Sequence, residues 1–319
     1  MNARWIKAVL WSACIMILPA LFATEASAKL KIVASFQHDA SIASMIGGDR
    51  VEVTSLTTGV QDPHAVEPKP ILAVLLDQAD LLIVNGQHME IQWLPIALGN
   101  SRNPRIQAGK EGYLNASTGV ITIPYTKKEL QGTPFAFALE EGAPEKIGNH
   151  HYWLEPANGL IIAKNIYEKL AQVDPANAAY YKANYETFTT RLRDRIKDWD
   201  TMMAPYKGVK VVSYHRDWIY LTKHHGLELA AYIEPRETIP PSASDVAILV
   251  KRIKEERIPL ILISPWQPQK ISREIAKQTG AAFLSLPSTV DARLGVKDYI
   301  DLFDVVHTQL TRALQEAKR

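Results

Sequence analysis

Strand-like and helix-like segments alternate twice along this chain, and one long helical stripe separates the two series. The first series opens with KLKIVASF at residues 29–36 and includes the apolar run ADLLIV at 79–84. The second opens with GVKVVSY at 208–214. Short buried strands that alternate with helices are typical of parallel sheets covered on both faces. The chain therefore predicts an α/β fold of two lobes, each with a mostly parallel sheet flanked by helices.

The first lobe has fewer predicted elements than the second. Its strands are expected at 29–36, 51–56 and 79–84, and its helices at 40–46 and 70–76. Between 101 and 148 the chain is rich in Gly, Pro and charge, and only 120–124 is typical of a strand. The second lobe is expected to hold strands at 208–214, 229–233, 260–263 and 282–286, with helices at 242–256, 272–280 and 299–317.

A stripe of large apolar residues predicts the helix that joins the lobes. Its members recur every three or four positions: Tyr181, Tyr185, Phe188, Leu192, Ile196, Trp199 and Met203. This period is that of one core-facing helix surface. A helix of about 28 residues would be about 42 Å long. Two lobes joined by such a helix leave a cleft, where small ligands bind.

Residues 1–28 have the order of a secretory signal peptide. Arg4 and Lys7 give a positive start, residues 8–22 form an apolar run, and 26–28 (ASA) supply small residues for cleavage after Ala28. The apolar run is shorter than the roughly 20 residues of a membrane span. The expected domains are the signal peptide at 1–28, an N-terminal lobe at 29–157, a helical connector at 158–206 and a C-terminal lobe at 207–319.

Removal of this segment leaves the mature chain without cysteine. Cys14 is the only cysteine, and its surroundings are not those of a lipid-attached residue. Stability must then come from an apolar core rather than from disulfides. The mature chain carries a net charge of about +1, which gives no basis for binding nucleic acid or an anionic membrane surface.

Three histidines lie where ligands gather in α/β lobes, beyond the carboxyl ends of strands. His215 directly follows the strand at 208–214, His64 follows the strand at 51–56 through a polar loop, and His151 closes the irregular segment. Three imidazoles with a carboxylate or water suit tetrahedral zinc. Histidine is more often a surface or core residue, and that interpretation is kept for His88, His150, His224, His225 and His307.

The segments around these histidines carry a family resemblance. They include QDPHAVEPKP at 61–70, GNHHYWLEP at 148–156, SYH at 213–215 and HHGLELAAYIEP at 224–235. In order, and over almost the whole mature chain, they resemble the zinc- and manganese-binding solute receptors of bacterial ABC transporters. The resemblance implies a periplasmic protein with a metal cleft between its lobes, which delivers the ion to a permease in the inner membrane. It also implies a monomer, with a metallochaperone as a further partner.

Within this resemblance, His64, His151 and His215 match three metal ligands of the family. The fourth family ligand is commonly an Asp in a turn after a late strand, where this chain has Pro287. Asp291 is the nearest carboxylate, so Asp291 or water is the expected fourth ligand. His38 and His150 are alternative ligands, and Asp217 is expected to orient an imidazole from behind, as metal-site histidines require.

Ligand chemistry favours zinc over manganese. Manganese receptors of this family tend to have a carboxylate where this chain has His215, and manganese prefers oxygen ligands. The alternative function is an exported zinc hydrolase that uses the same three histidines with an open fourth position. Glu67 or Glu155 would then be its general base, although each is followed by proline and is expected to cap a helix instead. A surface adhesin of the same fold has no feature in its favour.

Overall fold

The computed structural model describes residues 28–131, 133, 136 and 148–317. Residues 1–27 of the predicted signal peptide lie outside the described residues. Within the described part of the chain, no helix combines the length and the apolar character needed to cross a membrane.

The N-terminal sheet has four parallel strands in the order β2-β1-β3-β4. They are β1 Leu30–Ala34, β2 Val51–Ser55, β3 Leu81–Val84 and β4 Tyr113–Asn115. The sequence did not predict β4, which has only three residues and pairs with β3 through Leu114 opposite Ile83. The strand predicted at 120–124 is wrong, because Pro124 makes only an isolated bridge to Gly148.

The C-terminal sheet repeats this arrangement, with four parallel strands in the order β6-β5-β7-β8. They are β5 Lys210–Ser213, β6 Glu228–Tyr232, β7 Leu260–Ile263 and β8 Ala282–Ser285. β3 and β7 are buried along their whole length, as expected of uninterrupted apolar runs in a parallel sheet covered on both faces. The prediction of two lobes with parallel sheets is therefore confirmed.

Helices flank both sheets and connect them. They are α1 Gln37–Gly47, α2 Pro70–Asp77, α3 Leu94–Asn100, α4 Lys127–Leu130, α5 Asn158–Val173, α6 Ala178–Met203, α7 Ile219–His224, α8 Ala243–Glu256, α9 Gln269–Thr279 and α10 Tyr299–Ala317. Several of them begin with signals visible in the sequence. Pro70 opens α2, and Ser242 and Asp245 form a reciprocal capping box at α8.

The long helix α6 links the two lobes. It has 26 residues, or about 39 Å. Its buried stripe includes Tyr181, Leu192 and Trp199, as the sequence period predicts. It packs against α1 of the N-terminal lobe and α10 of the C-terminal lobe. One apolar core runs through both lobes along this helix.

Candidate metal centre

Four histidine side chains meet in the cleft. The ligand atoms of His64, His150, His151 and His215 all lie within 4.8 Å of one another. Their rings are 4.5 Å apart for His150 and His151, 4.9 Å for His151 and His215, and 5.1 Å for His64 and His215, measured between centroids. All four residues are buried. The structure thus brings together the three histidines expected from the sequence and adds His150.

The positions of these side chains follow from the parallel sheets. His215 comes two residues after the end of β5, and His64 lies in the loop after β2. His150 and His151 directly precede a short 3-10 turn at Tyr152–Leu154. The carboxyl ends of these strands lie at the cleft, and α/β folds bind their ligands beyond such ends.

Three of the rings are held so that Nε2 faces the cluster. Nδ1 of His64 lies 2.8 Å from Oδ1 of Asp62, and Nδ1 of His151 lies 3.2 Å from Oδ1 of Asn149. Nδ1 of His215 lies 2.5 Å from Oε2 of Glu234. Each oxygen accepts a hydrogen bond from Nδ1, which leaves Nε2 available as a ligand. Metal-site histidines in proteins are oriented in this way.

Two of the Nε2 atoms that face the cluster have no hydrogen-bond partner among the described residues. Nε2 of His151 and Nε2 of His215 are buried and make no hydrogen bond to the described residues. A buried polar atom without a partner in the protein is costly, so such atoms indicate a site that binds a ligand or another functional role. Here two of them converge with Nε2 of His64, which lies 3.0 Å from Nε2 of His150.

Burial and charge act differently on the four imidazoles. Burial lowers the pKa of His150 to about 3, and burial followed by the charge of His150 lowers the pKa of His151 well below 6.5. Burial also acts to lower the pKa of His215, but the hydrogen bond and charge of Glu234 outweigh it and raise this pKa to about 9. Neutral imidazole is the form that binds a metal, so binding at His215 must displace a proton.

A carboxylate from the C-terminal lobe completes the surroundings. Oε1 of Glu237 lies 3.5 Å from Nε2 of His150 and 3.7 Å from Nε2 of His64. Oε2 of the same group accepts a hydrogen bond of 2.8 Å from the Tyr125 hydroxyl. Neither Glu237 nor Glu234 was predicted from the sequence, although each lies beyond the carboxyl end of β6.

The structure does not bring Asp291 to this group, contrary to the expectation from the sequence. Its carboxylate accepts hydrogen bonds from the backbone N–H of Gly59, at 2.9 Å, and from the side chain and backbone of Arg293. The side-chain hydrogen bond from Arg293, with smaller contributions from the backbone N–H groups of Arg293 and Gly59, lowers the pKa of Asp291 to about 2. Asp291 thus ties the loop before His64 to the turn that follows β8.

Two other expected site residues also have different partners. The ring of His38 stacks on Trp153 with centroids 4.3 Å apart, and its nitrogens lie 3.2 Å from Asn85 and 3.2 Å from Thr289. Asp217 accepts from Ser264 and Gln267. The carboxylate that orients His215 is therefore Glu234, and not Asp217.

The two glutamates considered as general bases are not placed at the cluster. Glu67 is mostly exposed and pairs with Lys69. Glu155 pairs with the ring of His224 and also accepts a hydrogen bond of 3.3 Å from the backbone of Ala157. Neither side chain caps its following helix in the expected way, because the first positions of α2 and α5 have no side-chain cap.

The arrangement is suited to holding a metal ion that prefers nitrogen. Nε2 atoms around a tetrahedral zinc ion would lie about 3.3 Å from one another, given bonds of about 2.0–2.1 Å. The 3.0 Å between His64 and His150 is close to that value. The fold and the site together define a two-lobed receptor with a buried metal centre between its lobes.

The chain belongs to the family described as zinc-uptake complex component A, periplasmic, whose model matches residues 32–313. This confirms the resemblance to the metal-binding solute receptors of ABC transporters. The family is one of transport proteins that bind a substrate, and the comparisons give no support to the hydrolase alternative.

Individual relatives show the same class. The chain is 25% identical over 288 residues to the high-affinity zinc uptake system protein ZnuA of Bacillus subtilis, which covers 88% of this chain and 87% of that protein. It is 25% identical over 262 residues to the manganese ABC transporter substrate-binding lipoprotein PsaA of Streptococcus pneumoniae, covering 80% and 78%. A crystal structure of ZnuA matches with a TM-score of 0.75 at 24% identity, covering 89% of this chain and 99% of that one, and confirms the fold.

Proposed function

We propose that this protein captures Zn²⁺ in the cleft between its lobes and delivers it to an ABC permease in the membrane. The observation that carries the proposal is the convergence of four buried imidazoles, three of them with Nδ1 fixed to an oxygen and Nε2 turned inward. Zinc is well served by neutral imidazole in a closed tetrahedral site.

We infer that His150 is the fourth ligand, beside His64, His151 and His215. Its Nε2 lies close to that of His64, whereas Asp291 is engaged with Arg293 and Gly59. Glu237 stands 3.5 Å from Nε2 of His150 and places one negative charge against the site. That charge offsets part of the charge of a divalent ion in a buried place.

Zinc is favoured over manganese by the donor set. The relatives include both a protein named for zinc and one named for manganese, so kinship alone does not choose the ion. Manganese prefers carboxylate and water oxygen, whereas the ligand atoms that meet here are imidazole nitrogens. All four come from one chain, which supports a receptor that works as a monomer.

The experiment is calorimetric titration of metal-stripped protein, residues 29–319, with Zn²⁺ and separately with Mn²⁺ at neutral pH. We expect one tight equivalent of zinc per chain and at least about tenfold weaker binding of manganese, a difference of about 1.4 kcal/mol. Equal affinity for both ions would contradict the choice of zinc. Absence of a tight equivalent of zinc would contradict the proposed function itself.

The fourth ligand is tested by His150→Ala beside Asp291→Ala. We expect the first variant to weaken zinc binding by on the order of 100-fold, because it removes a donor from a closed site. The second should change zinc affinity little. If the effects are reversed, Asp291 is the ligand after all and His150 is a neighbouring core residue.

A further inference from the structure

A second group of metal-binding side chains lies outside the cleft. The ligand atoms of Asp200, His224 and His225 also lie within 4.8 Å of one another. Asp200 is in the last turn of α6, and His224 is the last residue of α7. The carboxyl ends of helices carry partial negative charge, so two such ends at one place favour a cation.

The orientation of His225 is fixed by a chain of hydrogen bonds. Nδ1 of His307 lies 2.6 Å from the carbonyl oxygen of Phe303, so this nitrogen carries a proton and donates it. Nε2 of His307 must then accept, and Nε2 of His225 lies 2.7 Å from it as the donor. In neutral His225, Nδ1 is consequently the atom with a free electron pair.

That electron pair faces a negative charge. Nδ1 of His225 lies 3.6 Å from Oδ1 of Asp200, which is too far for a hydrogen bond. Burial and the charge of His307 lower the pKa of His225 to about 2, so the ring is neutral near pH 7. A lone pair and a carboxylate oxygen that face each other at this distance attract a cation between them.

His224 supplies the third ligand atom, Nε2, which differs from Nδ1 of His225 because it donates a hydrogen bond to Asp200 and must lose its proton before it binds an ion. Its Nε2 lies 2.8 Å from Oδ1 of Asp200, and its Nδ1 pairs with the carboxylate of Glu155. A carboxylate behind the outer nitrogen of a histidine is the usual support of a metal-bound imidazole. Both histidines of this group therefore have the partner that a ligand needs on the far side of the ring.

We propose that Asp200, His224 and His225 form a second binding site for a zinc-class divalent cation, at the junction of α6, α7 and α10. The ligands are Oδ1 of Asp200, Nε2 of His224 and Nδ1 of His225, and water fills the fourth position. On binding, His224 releases the Nε2 proton that it shares with Asp200. Two nitrogens and one carboxylate oxygen are a ligand set that zinc accepts.

The exposure of this site sets its behaviour. The Asp200 side chain is 51% exposed and that of His224 is 17% exposed, whereas the rings of the cleft site are nearly inaccessible. Solvent can reach the ion, and a flexible surface carboxylate must be ordered when it binds. We expect weaker binding here than in the cleft. The site is independent of the zinc proposed there, since the two share no ligand.

The test is zinc titration of full mature protein and of Asp200→Asn, with Asp194→Asn as the matched control. Asp194 is another exposed aspartate of α6, paired with Lys197. Wild-type protein and the control should take up two equivalents, one tight and one weaker, and Asp200→Asn only the tight one. A titration with Co²⁺, whose visible absorption reports a four-coordinate site, should give the same result. Asp200→Asn should lose the absorption of the weaker cobalt equivalent.

Each outcome decides the proposal. A single equivalent in the wild type, or a second equivalent that survives Asp200→Asn and also His224→Gln, overturns it. Asp200 and His224 are at the surface, and thermal unfolding of each metal-free variant shows whether the fold is kept. His215→Ala separates the two proposals, because it should remove the tight equivalent and leave the weaker one.

Discussion

The histidines of the cleft and those of the second group at the surface are oriented in the same way, but they differ in burial. In both, an oxygen or a second imidazole holds one ring nitrogen and turns the other toward a common point. The cleft cluster, His64, His150, His151 and His215, is buried between the lobes. The surface cluster, Asp200, His224 and His225, opens to solvent through a half-exposed carboxylate. Orientation of the rings is thus common to both, and burial is what differs.

This difference separates retention from exchange. An ion held by the ligands proposed in the cleft would be surrounded by protein donors, and its release would require that the imidazoles be protonated or that the loops carrying His64 and His151 move. An ion at the proposed surface site would leave by replacement of one carboxylate with water. The following variants change orientation and burial one at a time.

Removal of a cleft ligand should have the largest effect. His215→Ala takes away the donor that Glu234 orients, and we expect zinc affinity to fall by more than about 100-fold, since even loss of an orienting partner costs about 10–100-fold. Competition with a chromogenic chelator measures the change. The comparison of depths would fail if His224→Ala weakened the tight equivalent as strongly as His215→Ala.

Removal of an orienting carboxylate should come next. Glu234→Gln keeps the size of the side chain but weakens the bond to Nδ1 of His215, so zinc affinity in the cleft should fall about 10–100-fold. Glu228→Gln is the control, because Glu228 begins β6, the strand that Glu234 follows, is exposed and pairs with Lys210. Calorimetric titration of both variants gives the ratio, and an equal loss in both would remove the special role of Glu234.

The equivalent change at the surface sharpens the contrast. Glu155→Gln removes the charge behind Nδ1 of His224. We expect the weaker zinc equivalent to lose about 10-fold in affinity while the tight one stays unchanged. Loss at the tight site instead would mean that Glu155 acts on the cleft through the nearby segment of His150 and His151.

Most of the fold follows from the sequence because apolar runs and helical stripes report burial directly. The strand LILI at Leu260–Ile263 and the stripe of α6 are examples. β4 could not be predicted because three residues are too few to show a hydrophobic alternation. Its pairing with β3 also depends on contacts that are distant in sequence.

The site was predictable in part because apolar runs also show where strands end, and ligands lie beyond those ends. The rule that ligands lie beyond strand ends indicates His64 and His215, and the family resemblance adds His151. For carboxylates the same rule indicates Glu234, which follows β6. Neighbouring residues generally point apart, which favours His151 over His150 as a ligand when only the sequence is considered. At His151 the backbone is not extended, with φ −84° and ψ 26°, and both rings reach the cluster.

A buried histidine outside either cluster tests what burial alone does to an imidazole. His38 has its pKa lowered to about 3 by burial, which outweighs the hydrogen bond with Asn85. The folded protein keeps this ring neutral, whereas the unfolded chain takes up a proton below pH 6.5. The contribution of His38 to the free energy of unfolding is therefore complete above pH 6.5 and declines as the pH falls toward 3.

In His38→Phe, which retains an aromatic ring against Trp153, this decline should disappear. As the pH falls from 6 to 4, the free energy of unfolding of the variant, relative to wild type, should rise by about 1.4 kcal/mol for each pH unit. Urea denaturation of metal-free protein at several pH values measures the difference. A difference that stays constant with pH would show that His38 is protonated in the fold.

The smallest effect on metal binding is expected at Asp291, and it separates a ligand from a structural tie. Asp291→Asn keeps an oxygen for the backbone N–H of Gly59 but loses the charge that holds Arg293. Since one such hydrogen bond contributes about 1 kcal/mol, unfolding should become easier by about that amount. Zinc affinity should stay within about twofold, because Asp62 still accepts hydrogen bonds from the backbone and the ring of His64 and keeps its orientation. A loss of tight zinc binding as large as that of His215→Ala would return Asp291 to the ligand set and make His150 the bystander.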